Sequence, residues 1–483
     1  VNTPGTPNRA IATTVLMFAA FMDLLDVTIV NVALPAIRSD LDASPAHLEW
    51  VLGGYTLTFA VLLITGGRLG DIFGRQRIFV LGVAGFTLAS LAACLSGNGE
   101  TLVAARIVQG GFAALMVPQL LSTVQVMYAP KERANVFGIV GAVSGTAAAV
   151  GPLLGGWLIT SDAFGVGWRS IFLINIPVGI VLIVLALKYV PNTVSEWATR
   201  LDLPGVVLAT AGAFLLVFPL IEGREQGWPA WIWGMLAASV VVLAAFVANQ
   251  RRTERLTQSS LLPMHLFGNR GFAAGLVTQA AFSAAMAGFI LTLVIYVQSG
   301  LDFSAIHAGL VLLPFSLGAF VGVGVSAPFG LKLGKVIPFT GAISQAAGIW
   351  WVGQVVSSKG ADFGGWDATP PMLLAGIGLG LLVVPLIDIA LSTVSTDDAG
   401  AASGTYSTFQ QLGSALGIAI IGAVFFHVVG DRFTEAGLRD GVEHAAWWAT
   451  GGYLLSAVAT LFLPDRNAVQ RHAEEQAALL EAV

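Results

Sequence analysis

Leu25-Asp26-Val27-Thr28-Ile29-Val30-Asn31-Val32-Ala33-Leu34-Pro35 places one carboxylate inside an apolar stretch that runs roughly from Ile11 to Ile37. A helix needs about 20 predominantly apolar residues to cross a bilayer, and this stretch supplies them. A carboxylate near the middle of such a span costs about 2.5–3.5 kcal/mol on insertion scales. A charge retained at that depth points to a proton, an ion or a substrate that it handles. The stretch therefore reads as the first span of a membrane transporter.

Composition extends this reading to the whole chain. Of 483 residues, 56% are hydrophobic and 11% charged, and the mean hydropathy is +0.81. A soluble domain carries about 25% charged residues, so this surface cannot face water all round. The net charge of −5 leaves no basic face for nucleic acid. Cys94 is the single cysteine and lies in an apolar run, which excludes an intrachain disulfide. The first span lacks a basic leader and a small-residue cleavage site, so it is expected to be retained.

Apolar segments of helical length recur with short polar breaks. They fall near 11–37, 48–70, 78–97, 101–123, 134–159 and 168–190, then 202–220 and 230–248. The last group falls near 270–297, 305–329, 335–357, 370–394, 402–428 and 446–464. The expected fold class is an all-α polytopic membrane protein with fourteen spans grouped six, two and six. The domains follow as a six-helix bundle over 1–190, an inserted helix pair with its linker over 191–255, a second bundle over 256–464, and a polar tail over 465–483. The run Arg251-Arg252-Thr253-Glu254-Arg255 is read as the connector before the last six spans.

Most of the 23 Lys and Arg residues fall on the side of the termini, among them Arg75, Arg77, Lys131, Arg133, Arg251, Arg252, Lys332 and Lys335. The opposite side holds Arg38, Arg169, Arg224, Lys359, Arg432 and Arg439. Positive residues stay inside, so both termini are expected in the cytoplasm and the chain in the cell (plasma) membrane. Trp50, Trp157, Trp168, Trp228, Trp231, Trp233, Trp350, Trp351, Trp447 and Trp448 sit near outer span ends. That is where an interfacial aromatic belt belongs.

The loop after the second span reads Gly67-Arg68-Leu69-Gly70-Asp71-Ile72-Phe73-Gly74-Arg75-Gln76-Arg77. Its glycines allow a sharp turn with close backbones, and Asp71 can pair at a neighbouring helix end. A topogenic positive cluster explains the arginines but not Asp and Gly at fixed offsets. The second-half counterpart, Ala327-Pro328-Phe329-Gly330-Leu331-Lys332-Leu333-Gly334-Lys335, has Leu331 where Asp71 stands. An Asp-based latch belongs to the first half alone.

This loop resembles the signature loop of the major facilitator superfamily. The Leu25-Asp26 to Leu34-Pro35 run, Arg106-x-x-Gln109-Gly110, and Gly141-x-x-x-Gly145 through Gly151-Pro152-x-x-Gly155-Gly156 resemble the superfamily's fourteen-span drug/proton antiporters. Trp168-Arg169-x-x-Phe172-x-x-Asn175-x-Pro177-x-Gly179 and Pro263-x-x-Leu266-Phe267-x-Asn269-Arg270 are similar to that branch as well. The resemblance implies a major facilitator fold, a conformational latch at Gly67, Asp71, Gly74, Arg75 and Arg77, and an antiporter motif at Gly145, Gly151, Pro152, Gly155 and Gly156. Physically, those glycines give a smooth helix face and Pro152 removes a backbone donor.

Arg106 falls inside the fourth span at a depth that overlaps that of Asp26, so the two charges are expected to face one cavity. The resemblance assigns an arginine at this place to proton transfer; a structural ion pair with Asp26 or Asp23 is the simpler alternative. Asp23, three residues before Asp26, shares its helix face. Asp388, in the inner half of the twelfth span after Pro385, is a further acid. The proton-coupling candidates are thus Asp26, Arg106, Asp23 and Asp388. Ser403, Ser407, Gln410 and Ser414 form one polar face of the thirteenth span. Gln109, Phe282, Phe289, Tyr296, Gln410 and Ser414 are candidates for a substrate cavity, although ordinary packing explains the aromatics equally. Glu222 is expected at the outer mouth.

The expected function is proton-coupled export of lipophilic compounds, cationic ones included, by a monomer working through alternating access around a central cavity. The proton serves as coupling ion, and no cofactor or metal is expected. No phosphate-binding Gly-x-x-x-x-Gly-Lys-Ser/Thr loop occurs, which argues against direct ATP drive. Proton-driven uptake and dedicated export of one endogenous metabolite are the alternatives within transport. A membrane-embedded enzyme would need a catalytic constellation, and the six histidines are scattered. A sensor would need a soluble output domain.

Overall fold

The computed structural model describes residues 7–128, 136, 143, 147, 150–162, 165–194, 202–257, 261–262, 264–392, 394, 399–430 and 433–464. Every regular element among the described residues is helical. Four long helices come first: α1 (Pro7–Leu41), α2 (Pro45–Phe73), α3 (Arg75–Cys94) and α4 (Gly99–Met127). The fifth, α5, is described over Val150–Ser161. Two short helical turns, Gly167–Arg169 and Ser170–Leu173, lead into α6 (Asn175–Tyr189). Then come α7 (Leu203–Glu225) and α8 (Ala230–Thr257). The remaining helices are α9 (Arg270–Ile295), α10 (Ala305–Leu333), α11 (Val336–Lys359), α12 (Thr369–Ser392), α13 (Ala399–Val429) and α14 (Glu435–Thr460).

Eleven helical stretches among the described residues are long and apolar enough to cross a membrane. α11 and α14 are not among them. Gln345 and the Trp350/Trp351 pair dilute α11, and the first turns of α14 carry Glu435, Arg439, Asp440 and Glu443. The chain is a multi-pass membrane protein.

Polar side chains start the helices where the apolar runs begin. Ser44 caps α2 by accepting from the His47 N–H at 3.2 Å, while the His47 ring accepts from the Ser44 N–H. Asn98 caps α4 through the Thr101 N–H at 2.8 Å, and Asn269 caps α9 through the Gly271 N–H at 3.0 Å. Each cap satisfies a backbone donor that the first helical turn leaves open.

Three sequence expectations change. α8 continues through Arg251–Arg255 instead of breaking there, because arginine and glutamate are good helix formers. α7 continues to Glu225, past the expected end near 220, so Glu222 lies in the helix. α14 begins at Glu435, well before the apolar run at Ala446, because Thr434 caps it. The tail over 465–483, together with Gly141, Gly145, Lys131 and Arg133, lies outside the described residues.

The chain forms two compact units, residues 1–261 with 302–309 and residues 262–301 with 310–483. In the first, α2 packs along α4, α3 lies against α4 and α6, and α1 joins α4 and α6. Leu16, Met22, Phe59, Phe79, Phe86, Met116, Leu120 and Leu182 form its apolar core. α2 and α4 approach so closely that a side chain at Gly110 would run into the Tyr55 carbonyl. The pair α7–α8 packs on itself, and α7 also contacts α2. In the second unit α9 packs on α13 and α14, and α11 packs on α12 and α14.

Candidate functional site

Five helical segments of the first unit bring polar side chains to one buried point. Asp26 on α1 is fully buried, as is Arg106 on α4. Arg106 Nη1 donates to Asp26 Oδ2 at 2.5 Å and to Gln109 Oε1 at 2.6 Å, while its Nε donates to the Val51 carbonyl of α2 at 3.1 Å. Gln109 Nε2 donates to Asp26 Oδ1 at 3.0 Å and to Ser90 Oγ of α3 at 2.9 Å. Asn175, at the start of α6, donates from Nδ2 to Asp26 Oδ1 at 2.8 Å. The guanidinium lies over the Tyr55 ring at 4.3 Å and nearer to it than to the Phe172 ring at 5.8 Å. On the same face of α1, Asp23 accepts a hydrogen bond from the Tyr55 hydroxyl.

This arrangement answers the cost of burying charge. An isolated ion in a low-dielectric interior is expensive, and a partner removed from such a pair leaves the other uncompensated. Here the carboxylate of Asp26 takes three donors, and the guanidinium takes a carboxylate, an amide oxygen and a backbone carbonyl. The arrangement places a second acid, Asp23, beside the paired Asp26 and Arg106.

Arg75 and Asp71 form the second polar constellation. Arg75 donates from Nη2 to Asp71 Oδ1 at 2.7 Å and from Nε at 3.2 Å. Its Nη1 reaches Thr193 Oγ1 at 3.3 Å, and its backbone N–H reaches the Thr193 carbonyl at 3.1 Å. Asp71 therefore pairs within its own turn, and Arg75 links that turn to the chain leaving α6. Gly74 makes the turn at φ 101°, a conformation open to glycine. Gly67 faces Pro118 of α4, and Arg77 is exposed. The side chains of Leu331 and Lys332 lie outside the described ones.

The antiporter-motif glycines form a close helix contact. Gly151 lies against Thr28 and Gly155 against Ile29, within one turn after Asp26, while Gly156 faces Ala305 and Ile306. Pro152 lies between them with its carbonyl against Gly309.

Other candidates scatter. Gln109, assigned from sequence to a substrate cavity, belongs to the Asp26 network. Phe282, Phe289 and Tyr296 are buried inside the second unit. Phe282 packs against Tyr453, and the Tyr296 hydroxyl donates to the Gly360 carbonyl at 3.1 Å. Gln410 is exposed and Ser414 half-buried, donating to the Gln410 carbonyl at 3.1 Å. Asp388 is exposed on the second unit. Glu222 accepts from the Trp50 indole at 3.1 Å. Trp50 and Trp168 are buried, held by Glu222 and Asp40. Tyr55 and Ser90 were not singled out by sequence reasoning, and Asn175 entered only as part of a motif. Each is a polar group within an apolar stretch, which is the one signal that marks them.

Comparison with known proteins follows the same direction. Residues 16–418 match the family described as Major Facilitator Superfamily. The chain is 41% identical to a "Probable actinorhodin transporter" of Streptomyces coelicolor, over 92% of this chain and 76% of that protein. It is 35% identical to a "Tetracenomycin C resistance and export protein" of Streptomyces glaucescens, over 88% and 77%. It is 37% identical to a cephamycin export protein of Amycolatopsis lactamdurans, over 87% and 86%. Among solved structures, a D-xylose-proton symporter shares the fold with a TM-score of 0.66 at 15% identity, covering 95% of this chain and 99% of that one.

Proposed function

Because the chain belongs to the Major Facilitator Superfamily, we propose that it is a proton-coupled antiporter that exports lipophilic antibiotics. It works as a fourteen-span monomer by alternating access, with both termini in the cytoplasm. Its organisation is a bundle over 1–190, an inserted pair over 191–255 and a bundle over 256–464. The buried Asp26–Arg106 pair, with Asp23 and Tyr55 beside it, carries this reading. The relatives named for antibiotic export support the cargo class.

A proton moving down a 100 mV potential supplies about 2.3 kcal/mol. At about 1.4 kcal/mol per tenfold, that sustains roughly a 50-fold gradient of a neutral compound exchanged one for one. The test is purified protein in liposomes loaded with a pH-sensitive dye, challenged in turn with actinorhodin, tetracenomycin C and cephamycin. Proton efflux triggered by one of them is the expected result, and substrate flux with no proton movement sinks the coupling. A second reading, export of one dedicated compound, is favoured because each of these relatives is named for a single antibiotic. Flux of one compound from that panel and none of the others would select it.

A further inference from the structure

α8 is the least buried of the eleven candidate spans, at 17%. Its exposed positions recur every three or four residues through Trp233, Ala237, Val240, Ala244 and Ala248, which makes one apolar stripe that the bilayer covers. Arg251, Arg252 and Arg255 continue the same stripe and are exposed as well. At about 100° of turn per residue, all three fall inside one arc of about the same width. With Ala248 and Leu256 they line an open hollow of about 680 Å³. That is within the range of about 300–1,000 Å³ that ligand sites occupy.

The charge of this hollow is not cancelled from within. Among the described residues none of the three arginines forms an ion pair. Asp202, the buried acid beside this turn, accepts instead from the Gly205 N–H and from the amides of Asn249 and Gln250. Glu254 projects outside the arc that the arginines share. A topogenic role or contact with the negative end of the helix would account for positive charge here. Neither needs a hollow, and neither prefers arginine to lysine. A guanidinium differs from an ammonium in presenting a planar fork that matches two phosphate oxygens at once.

We propose that this hollow binds an anionic phospholipid, with its phosphodiester held by Arg251, Arg252 and Arg255 and an acyl chain laid along Ala248 and Ala244. The length of the stripe favours a lipid over a soluble anion. Val240 lies about 16 Å from Arg251 along the helix axis, about half of the 30 Å hydrocarbon core. The apolar surface next to the arginines therefore matches the depth of one leaflet. A zwitterionic headgroup would bring its own cation against three unneutralised arginines, so the site selects a net negative lipid. Only the membrane-spanning character of α8 is needed; neither proton coupling nor the exported compound enters.

Native mass spectrometry of the full-length protein, stripped of lipid and titrated with phosphatidylglycerol or phosphatidylcholine, counts the lipids bound. One phosphatidylglycerol is expected to be held about tenfold more tightly than phosphatidylcholine. The triple variant Arg251→Gln/Arg252→Gln/Arg255→Gln should bring the two lipids to parity. The triple variant Arg251→Lys/Arg252→Lys/Arg255→Lys keeps the topogenic charge but loses the forks, and should weaken phosphatidylglycerol several-fold. Should the glutamine variant fail to fold, the lysine variant still decides. Unchanged phosphatidylglycerol affinity in either variant, or no preference in the unaltered protein, overturns the site. Inorganic phosphate at millimolar concentration should leave the bound lipid in place. Displacement at that concentration would mark a site for soluble anions and overturn the lipid assignment.

Discussion

The interiors of the two units solve the same packing problem with different chemistry. Among the described residues, the buried charged side chains are Asp23, Asp26, Glu49, Arg106 and Asp202, and all belong to the first unit. Among its described residues the second unit buries only neutral polar groups, such as Gln279, Ser283, Thr405 and Gln345. Its nearest counterpart to the Asp26 site is a neutral chain in which the Tyr406 hydroxyl donates to Gln279 Oε1 at 2.5 Å and Gln279 Nε2 donates to Ser283 Oγ at 3.0 Å. A neutral network can orient a helix face but cannot store charge. The contrast teaches that buried charge and neutral packing are divided between the units, with the charge kept in the first among the described residues.

The sharpest break of this contrast is Arg106→Ala. Removing one partner of a buried pair costs about 3–5 kcal/mol, so thermal unfolding in detergent should fall steeply and gradient-driven export should vanish. A folded variant with normal coupling would show that the pair is dispensable. Asp71→Asn should come next, with turnover slowed about tenfold, equal to about 1.4 kcal/mol at the barrier, and equilibrium substrate binding held within a few-fold. Weak binding with normal turnover would mean that the turn bears on the substrate and not on exchange between states.

Tyr406→Phe probes the neutral side of the comparison. It leaves the buried Gln279 oxygen without its donor, a loss of about 1–3 kcal/mol on thermal unfolding, and should leave the pH profile of transport unchanged. A displaced pH profile would erase the division between the units. The smallest effect is expected for Asp388→Asn. This side chain lies within the apolar span of α12 and has no partner among the described residues, so its replacement removes no contact. Export measured across a pH gradient should match the unaltered protein, and loss of coupling would move the proton site into the second unit.

Much of this was legible in the chain. The long apolar runs gave the helices, and the overlap in depth between Asp26 and Arg106 anticipated their contact. Tyr55, Ser90 and Asn175 could not be joined to them, because each lies on a different helix and only tertiary packing fixes which faces meet. Phe282, Phe289 and Tyr296 share a helix, yet periodicity does not say whether that face meets a cavity or a neighbour. The helical course of Arg251–Arg255 and of Glu435–Glu443 was hidden for another reason. Charge ends the apolar layer, but it does not end a helix.

Asp202 shows how the α7–α8 pair is closed at one end. Its Oδ1 accepts from the Gly205 N–H at 2.9 Å, and its Oδ2 accepts from Gln250 Nε2 at 2.7 Å, with Asn249 Nδ2 at 3.2 Å from both oxygens. Every one of these donors comes from the pair itself. During synthesis, the two helices can therefore enter the bilayer together as a finished hairpin, with this carboxylate satisfied before the second unit has left the ribosome.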